Sequence, residues 1–302
     1  MPDPFEALRT APTPIDPEAA FAARLRARLA QALLPTSPDQ GEPSMTLHTS
    51  ETAEQLRQGD MSYFSLWVPD VDRAARFYTD LLGWQYAAWS SGPARLVEGQ
   101  SISLGLSELA GSADFQRSEG LPVGEALAPT GYPVFVVDDI QAAAQRVRAA
   151  GGHAAEPKDQ PYGRVAGCVD DQGLAFSLHE RVALPRPPAT GARHGDVAYV
   201  VFEFPDAARA RAFYAAVLGM HFEPGRTPDG WNVSEVAPMS GFAGGASRTT
   251  VVPMFRVDDI QAAVERVRAA GGRASEPRHE GYGTRAECAD DQGVRFYLGQ
   301  LA

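Results

Sequence analysis

Cysteine is almost missing from this 302-residue chain: only Cys168 and Cys288 occur, 120 positions apart (288 − 168). They sit in matching slots of a duplicated sequence, and equivalent slots of separate domains seldom meet. Both are therefore expected as buried structural thiols, not as a disulfide. No apolar stretch approaches the roughly 20 residues needed to span a bilayer, and the opening MPDPFEALRT has neither a basic nor an apolar signal region. Membrane insertion and secretion are unsupported, and a cytoplasmic location is the expectation. Positive charge is scarce as well. The formal charge of −11 would repel a phosphate backbone, so nucleic acid is not an expected partner. Nucleophile-elbow, phosphate-loop, dinucleotide-fingerprint and paired CxxC patterns are absent from the sequence. Trp67, Trp84, Trp89 and Trp231 then read as core or cavity wall rather than as a platform for bases.

What the chain does have is apolar content, 44%, and duplication. VDDIQAAAQRVRAAGG from Val137 returns as VDDIQAAVERVRAAGG from Val257, 120 positions later (257 − 137). Glu156-Pro157, Tyr162-Gly163 and the DDQG at Asp170 recur at the same offset as Glu276-Pro277, Tyr282-Gly283 and the DDQG at Asp290. Upstream, YFSLWVPDVDRAARFYTDLLGW from Tyr63 matches YVVFEFPDAARARAFYAAVLGM from Tyr199 at an offset of 136 (199 − 63), so the first copy carries a longer connection. The organisation expected is a first domain over 61–182, a linker over 183–194 reading ALPRPPATGARH, and a second domain over 195–302.

A finer repeat lies inside each copy. Asp70, Asp138, Asp206 and Asp258 each follow a β-type run and precede an Ala/Arg-rich helical stretch that stops at Gly83, Gly151, Gly219 or Gly271. Alternating runs such as SISLGL, RVAGCVDD and VRFYLG supply further strands. Each of the four units is thus one strand, one helix and several antiparallel strands: α+β rather than doubly wound α/β. Ahead of them, residues 1–34 place Phe21, Leu25, Leu29 and Leu33 on one stripe of an amphipathic helix. A proline-rich flexible tether is expected over 35–60. That helix could dock on the domains or serve a partner.

The paired FY…G elements and the DDQG introducing each final strand resemble the vicinal oxygen chelate superfamily, which includes glyoxalase I, extradiol dioxygenases and bleomycin-resistance proteins. The resemblance covers 61–181 and 195–301. It implies two tandem domains, each of two βαβββ modules whose curled mixed sheet encloses a cavity. Metal-dependent members hold a divalent ion with His and Glu at four strand positions. Carried over, the first falls on Tyr63 and Tyr199, the second near Gly105 and Gly244, the third on Tyr132 and Val252, and the fourth on Ser177 and Tyr297. None of these is a usual ligand. The histidines are also unduplicated: His153 faces Arg273, His179 faces Gly299, His221 faces Gln85 and His279 faces Asp159. No metal and no cofactor are therefore expected.

Strand alternation sends Tyr63, Ser65 and Trp67 inward with Tyr132, Ser177 and His179, giving an aromatic, mostly neutral first cavity. The second gathers Tyr199, Glu203, Arg256, Arg295 and Tyr297. There Glu203 and the arginines either pair with one another or hold an anionic ligand while Glu203 or Tyr199 moves a proton. The expected function is metal-independent binding of a small molecule by a monomeric pseudo-dimer or a homodimer. The alternatives are a lyase or isomerase working through Glu203 and Tyr199, a degenerate metalloenzyme, and an interaction protein acting through the N-terminal helix.

Overall fold

Each main helix starts where an aspartate turns the chain aside from a strand. Asp70 caps α1 (Val71–Leu82) by accepting from the Arg73 amide. A short α2 (Ser112–Ser118) lies in the longer connection of the first copy. Asp139 caps α3 (Ile140–Ala149), Asp206 caps α4 (Ala207–Leu218) and Asp259 caps α5 (Ile260–Ala269). In α3 and α5 the cap is thus the second aspartate of its pair, one residue later than the sequence pattern put it, because Asp138 and Asp258 form the bend itself. Gly83 and Gly219 close α1 and α4 in the left-handed conformation, at φ 70° and 73°, where a Cβ would be strained.

The computed structural model describes residues 54–87, 93–122, 130–160, 162–180 and 184–302. The expected N-terminal helix, most of its tether, and Trp89 lie outside these residues. Among the described residues no helix is long and apolar enough to cross a membrane.

The first copy contributes β1 (Met61–Val68), β2 (Ala94–Val97), β3 (Ser103–Glu108), β4 (Gly131–Val137), β5 (His153–Ala154), β6 (Lys158–Gln160), β7 (Gly163–Val169) and β8 (Ala175–Glu180). They form one open mixed sheet in the order β2-β3-β1-β4-β8-β7-β5, with β6 also on β7. The second copy contributes β9 (Val197–Glu203), β10 (Phe222–Pro224), β11 (Gly230–Val233), β12 (Ser240–Ala243), β13 (Thr250–Arg256), β14 (Arg273–Ala274), β15 (Arg278–Glu280), β16 (Gly283–Ala289) and β17 (Arg295–Leu301). Their order is β10-β11-β12-β9-β13-β17-β16-β14, with β15 on β16. In each sheet two modules meet at a central antiparallel pair, β1/β4 or β9/β13, flanked by parallel pairs. Ser65 lies opposite Gly105 and Val201 opposite Gly241, so the counterpart of Gly105 is Gly241 (105 + 136) and not Gly244 as the sequence count had it.

Helices α1, α3, α4 and α5 lie between the two sheets, and the core there is common to both domains. Packing is crossed: Phe77 and Tyr78 of α1 meet Phe255 and Phe296 of the second sheet, while Phe213 and Tyr214 of α4 meet Phe176 and Phe135 of the first. Each DDQG turn then clasps the other domain's helix start. Gln172 exchanges two hydrogen bonds with the Asp206 backbone, and Gln292 does the same with Asp70. Arg209 and Arg73 pair with Asp171 and Asp291. The Tyr214 hydroxyl donates to buried Asp170 at 3.1 Å, and that of Tyr78 to Asp290 at 3.5 Å. Burial pushes the Asp170 carboxyl up to about 6, against amide donors from Leu174 and Gln172, and raises Asp290 in the same direction. Both thiols are buried and their pKa values rise to about 12. The end of the stretch expected as a tether is fixed here: Asp60 is fully buried, pairs with Arg186 and accepts from the Ala237 amide.

Candidate functional site

With α1, α3, α4 and α5 packed on one side of each sheet, the site is sought on the opposite side, and alternation decides which residues face it. On the first sheet these are Tyr63, Ser65 and Trp67 of β1, Tyr132 and Val134 of β4, and Ala175, Ser177 and His179 of β8. Strand alternation placed Tyr63, Ser65, Trp67, Tyr132, Ser177 and His179 together on this face, Val134 and Ala175 join them, and the face is covered. The longer connection lays α2 across it, putting the Phe115 ring 5.2 Å from both Trp67 and Tyr132, whose own rings are 6.4 Å apart. Glu119 and Leu121, just beyond α2, sit so close over Gly167 that a Cβ there would meet Glu119 at 2.9 Å.

The polar groups of this face are mostly turned on each other. The Tyr132 and Ser177 hydroxyls share a 2.7 Å hydrogen bond, and Ser65 and Ser107 share one of 2.9 Å. His179 Nδ1 lies 3.1 Å from Ser62 Oγ and Nε2 3.1 Å from the Tyr162 carbonyl, which accepts only, so Nε2 carries the proton and Nδ1 accepts. Burial lowers the His179 pKa and raises those of Tyr63 and Tyr132. One donor is left over: the buried Trp67 Nε1 has no partner among the described residues.

The second face is built differently. Tyr199, Val201 and Glu203 of β9, Val252 and Met254 of β13, Arg285 and Glu287 of β16, and Arg295 and Tyr297 of β17 share it. Among the described residues no helix covers it, because only six residues, 244–249, separate β12 from β13. Tyr199, Tyr297 and Arg285 are half-buried and Tyr282 is exposed at the rim. The Tyr199 hydroxyl overhangs Gly241 and points to Asn232 Oδ1 at 3.4 Å. Burial pushes its pKa up to about 12, and burial also raises Tyr282 and Tyr297. The guanidinium of Arg285 lies over the Tyr297 ring and that of Arg226 over Tyr282, 5.4 and 5.5 Å from the centroids.

At one end of this face Arg295 grips Glu203 through two hydrogen bonds of 2.7 and 2.8 Å. Here the face opens into a cleft of about 380 Å³, lined also by Ser247, Arg248, Thr250 and Gly293. Arg256 does not join this pair. Thr250 is the residue opposite Glu203, and Arg256 stands six residues along β13, about 20 Å away at ~3.3 Å per residue. Sequence reasoning missed Tyr282, Arg226, Arg285 and the covering role of Phe115. Tyr282 was visible as a repeat marker, and Arg285 as a place where the repeat breaks, against Val165.

The four positions at which metal-dependent relatives would hold an ion carry Tyr63, Gly105, Tyr132 and Ser177 on one face, and Tyr199, Gly241, Val252 and Tyr297 on the other. Protonated phenols, a hydroxyl engaged with a neighbour, glycines and a valine do not fit a divalent cation, which asks for imidazole or carboxylate donors. Among the described residues no three His, Cys, Asp or Glu side chains converge on a point.

Comparison with known proteins agrees with this architecture. The model of the glyoxalase/bleomycin resistance protein/dioxygenase superfamily matches residues 60–178, and that of the glyoxalase-like domain matches 199–299. The anthracycline biosynthesis protein DauV of Streptomyces sp. (strain C5) is 30% identical over 259 residues, covering 80% of this chain and 94% of its own. The putative glyoxylase CFP32 of Mycobacterium tuberculosis is 27% identical, covering 80% and 95%. Among solved structures, the Mn(II)-bound glyoxalase of Novosphingobium aromaticivorans superposes with a TM-score of 0.61 at 17% identity, over 81% of this chain and 82% of that one. The catechol dioxygenase BphC gives 0.56 at 17%, over 80% and 87%. Two matched domains in tandem, two open mixed sheets of βαβββ modules and a relative aligned across four-fifths of the sequence place this chain in the glyoxalase/bleomycin resistance protein/dioxygenase superfamily.

Proposed function

We propose that the chain is a metal-independent small-molecule-binding protein of the glyoxalase/bleomycin-resistance type, and that its ligand lies on the second face against Tyr199, Tyr282 and Tyr297. The observation that carries this reading is the contrast between the faces: the first is filled by α2, whereas the second leaves three tyrosines and two stacked guanidiniums accessible. Such a surface suits a planar, oxygen-bearing aromatic molecule, with rings against the phenols and oxygens toward the N–H edges of Arg226 and Arg285. The name of the DauV relative, an anthracycline biosynthesis protein, fits that class of ligand.

Binding is favoured over acid–base turnover by the state of the two groups best suited to catalysis. Tyr199, with its pKa near 12, stays protonated at neutral pH and serves as a donor. Both oxygens of Glu203 accept from Arg295, which commits that carboxylate to an ion pair. On this reading Tyr63, Ser65, Trp67, Tyr132, Ser177 and His179 stabilise the first domain.

Calorimetric titration of metal-analysed protein with a hydroxyanthraquinone tests the proposal. Tyr297→Ala is expected to weaken binding at least tenfold, while Glu203→Gln leaves it within about threefold. Stoichiometric nickel, zinc or iron whose removal abolishes binding would overturn metal independence. Unchanged affinity in Tyr199→Ala, Tyr282→Ala and Tyr297→Ala would overturn the location.

A further inference from the structure

The closed first face raises a separate question, because its filling is imperfect in one chemical respect. Phe115 sits between Trp67 and Tyr132 at 5.2 Å from each, in offset and edge-on contacts typical of aromatic clusters. Its ring satisfies the dispersion and stacking demands of that slot. It cannot satisfy Trp67 Nε1, which is buried beneath it with no hydrogen-bond partner, although Trp is a residue whose N–H finds an acceptor in most buried settings. Hydroxyls of the same face are engaged with one another, Tyr132 with Ser177 and Ser65 with Ser107. A ring that carried an oxygen at its edge would fill the same slot and also take up the orphan N–H.

The covering element is suited to exchange. It is a seven-residue helix between Gly111 and Gly120, and its far end is tied down by Lys158 donating to the Ser118 carbonyl and by His153 Nε2 donating to that of Gly120. Phe115 itself is only half-buried, unlike Trp67 and Tyr132, so its ring can leave without dismantling the sheet beneath.

We propose that Phe115 is a built-in competitor occupying a second binding site, and that this site takes a planar aromatic molecule with a carbonyl or quinone oxygen hydrogen-bonded to Trp67 Nε1. The site is distinct from the second face and shares no residue with it. A ligand must displace Phe115, so apparent affinity is set by how readily α2 yields, and the unsatisfied indole is retained because it discriminates for an acceptor.

The test uses the full chain and two probes of similar shape, 2-acetylnaphthalene and 2-ethylnaphthalene, with binding at the second face weakened by Tyr297→Ala. In that background Phe115→Ala should tighten 2-acetylnaphthalene by tenfold or more by deleting the competitor. It should also favour the acetyl over the ethyl probe by about tenfold, a preference that adding Trp67→Phe abolishes. Phe115→Leu serves the same purpose if the alanine variant does not fold. Independently, Trp67→Phe alone should raise the urea midpoint, since it deletes the orphan donor while keeping an aromatic ring. Affinity that is unchanged on truncating Phe115, an acetyl preference that survives without the indole, or a lowered midpoint in Trp67→Phe would each overturn the proposal.

Discussion

The outward faces of the two sheets start from the same scaffold and end in opposite conditions. At equivalent positions the first carries Trp67, Val165, Ala175 and Ser177, and the second carries Glu203, Arg285, Arg295 and Tyr297. The offset falls from 136 to 120 between β3 and β4, so the first copy has 16 extra residues there (136 − 120), and these include α2. Where the insertion covers the sheet, the residues beneath are apolar or pair with each other. Where it is missing, they are charged and partly solvated. The inner faces, by contrast, stay apolar in both copies, since Phe64 and Val200, Leu66 and Phe202, and Phe135 and Phe255 all feed one core. Duplication here preserved the side that packs and released the side that does not.

The sharpest way to break this comparison is to truncate the twin positions 67 and 203. Trp67→Ala should cost about 3–5 kcal/mol of unfolding free energy, as large-to-small changes in a packed core do. Glu203→Ala should cost less than about 1 kcal/mol, because its partner Arg295 is half exposed and such pairs contribute little. Equal losses in urea denaturation would mean that the second face is as much a core as the first.

The interface between the domains responds to pH instead. Burial raises Asp170 from 3.8 to about 6, so the folded state holds its proton more tightly than the unfolded chain. Its contribution is therefore complete below about pH 4 and is lost as pH rises through about 6, on the order of 2–3 kcal/mol. Asp170→Asn should flatten this decline relative to the parent between pH 4 and 7. An identical slope in both proteins would show that the carboxyl is already ionised at pH 4.

A smaller effect sharpens the contrast at Gly105 and Gly241. An alanine methyl at either would overlap the tyrosine hydroxyl above it, Tyr63 or Tyr199. Tyr63 is partly buried against the Trp67–Tyr132 cluster and has little room to yield, so Gly105→Ala should cost about 1–3 kcal/mol. Tyr199 stands on the open face and can swing away, so Gly241→Ala should cost less than about 1 kcal/mol. Thermal unfolding of the two variants side by side decides it.

The architecture was legible because it is written in local signals: Asp caps, left-handed glycines and period-two alternation recur four times at fixed offsets. The same alternation identified Tyr63, Ser65, Trp67, Tyr132 and Ser177 as sharing one face. What it could not supply was what lies over that face, since Phe115 reaches Trp67 and Tyr132 through a connection with no repeat partner to calibrate it. Arg256 was misplaced for a related reason, because alternation fixes the side of a sheet and not the distance along it. Gly244 was a register error of three residues, resolved only when Gly241 was seen opposite Val201.

The crossed clasp of the DDQG turns bears on how the gene could be divided. Each half donates its glutamine, aspartate and arginine contacts to the opposite half and borrows the other's aromatic rings to cover its own. A polypeptide cut between the two sheets would give fragments with raw apolar surface and uncapped partners, which would find each other in solution or aggregate.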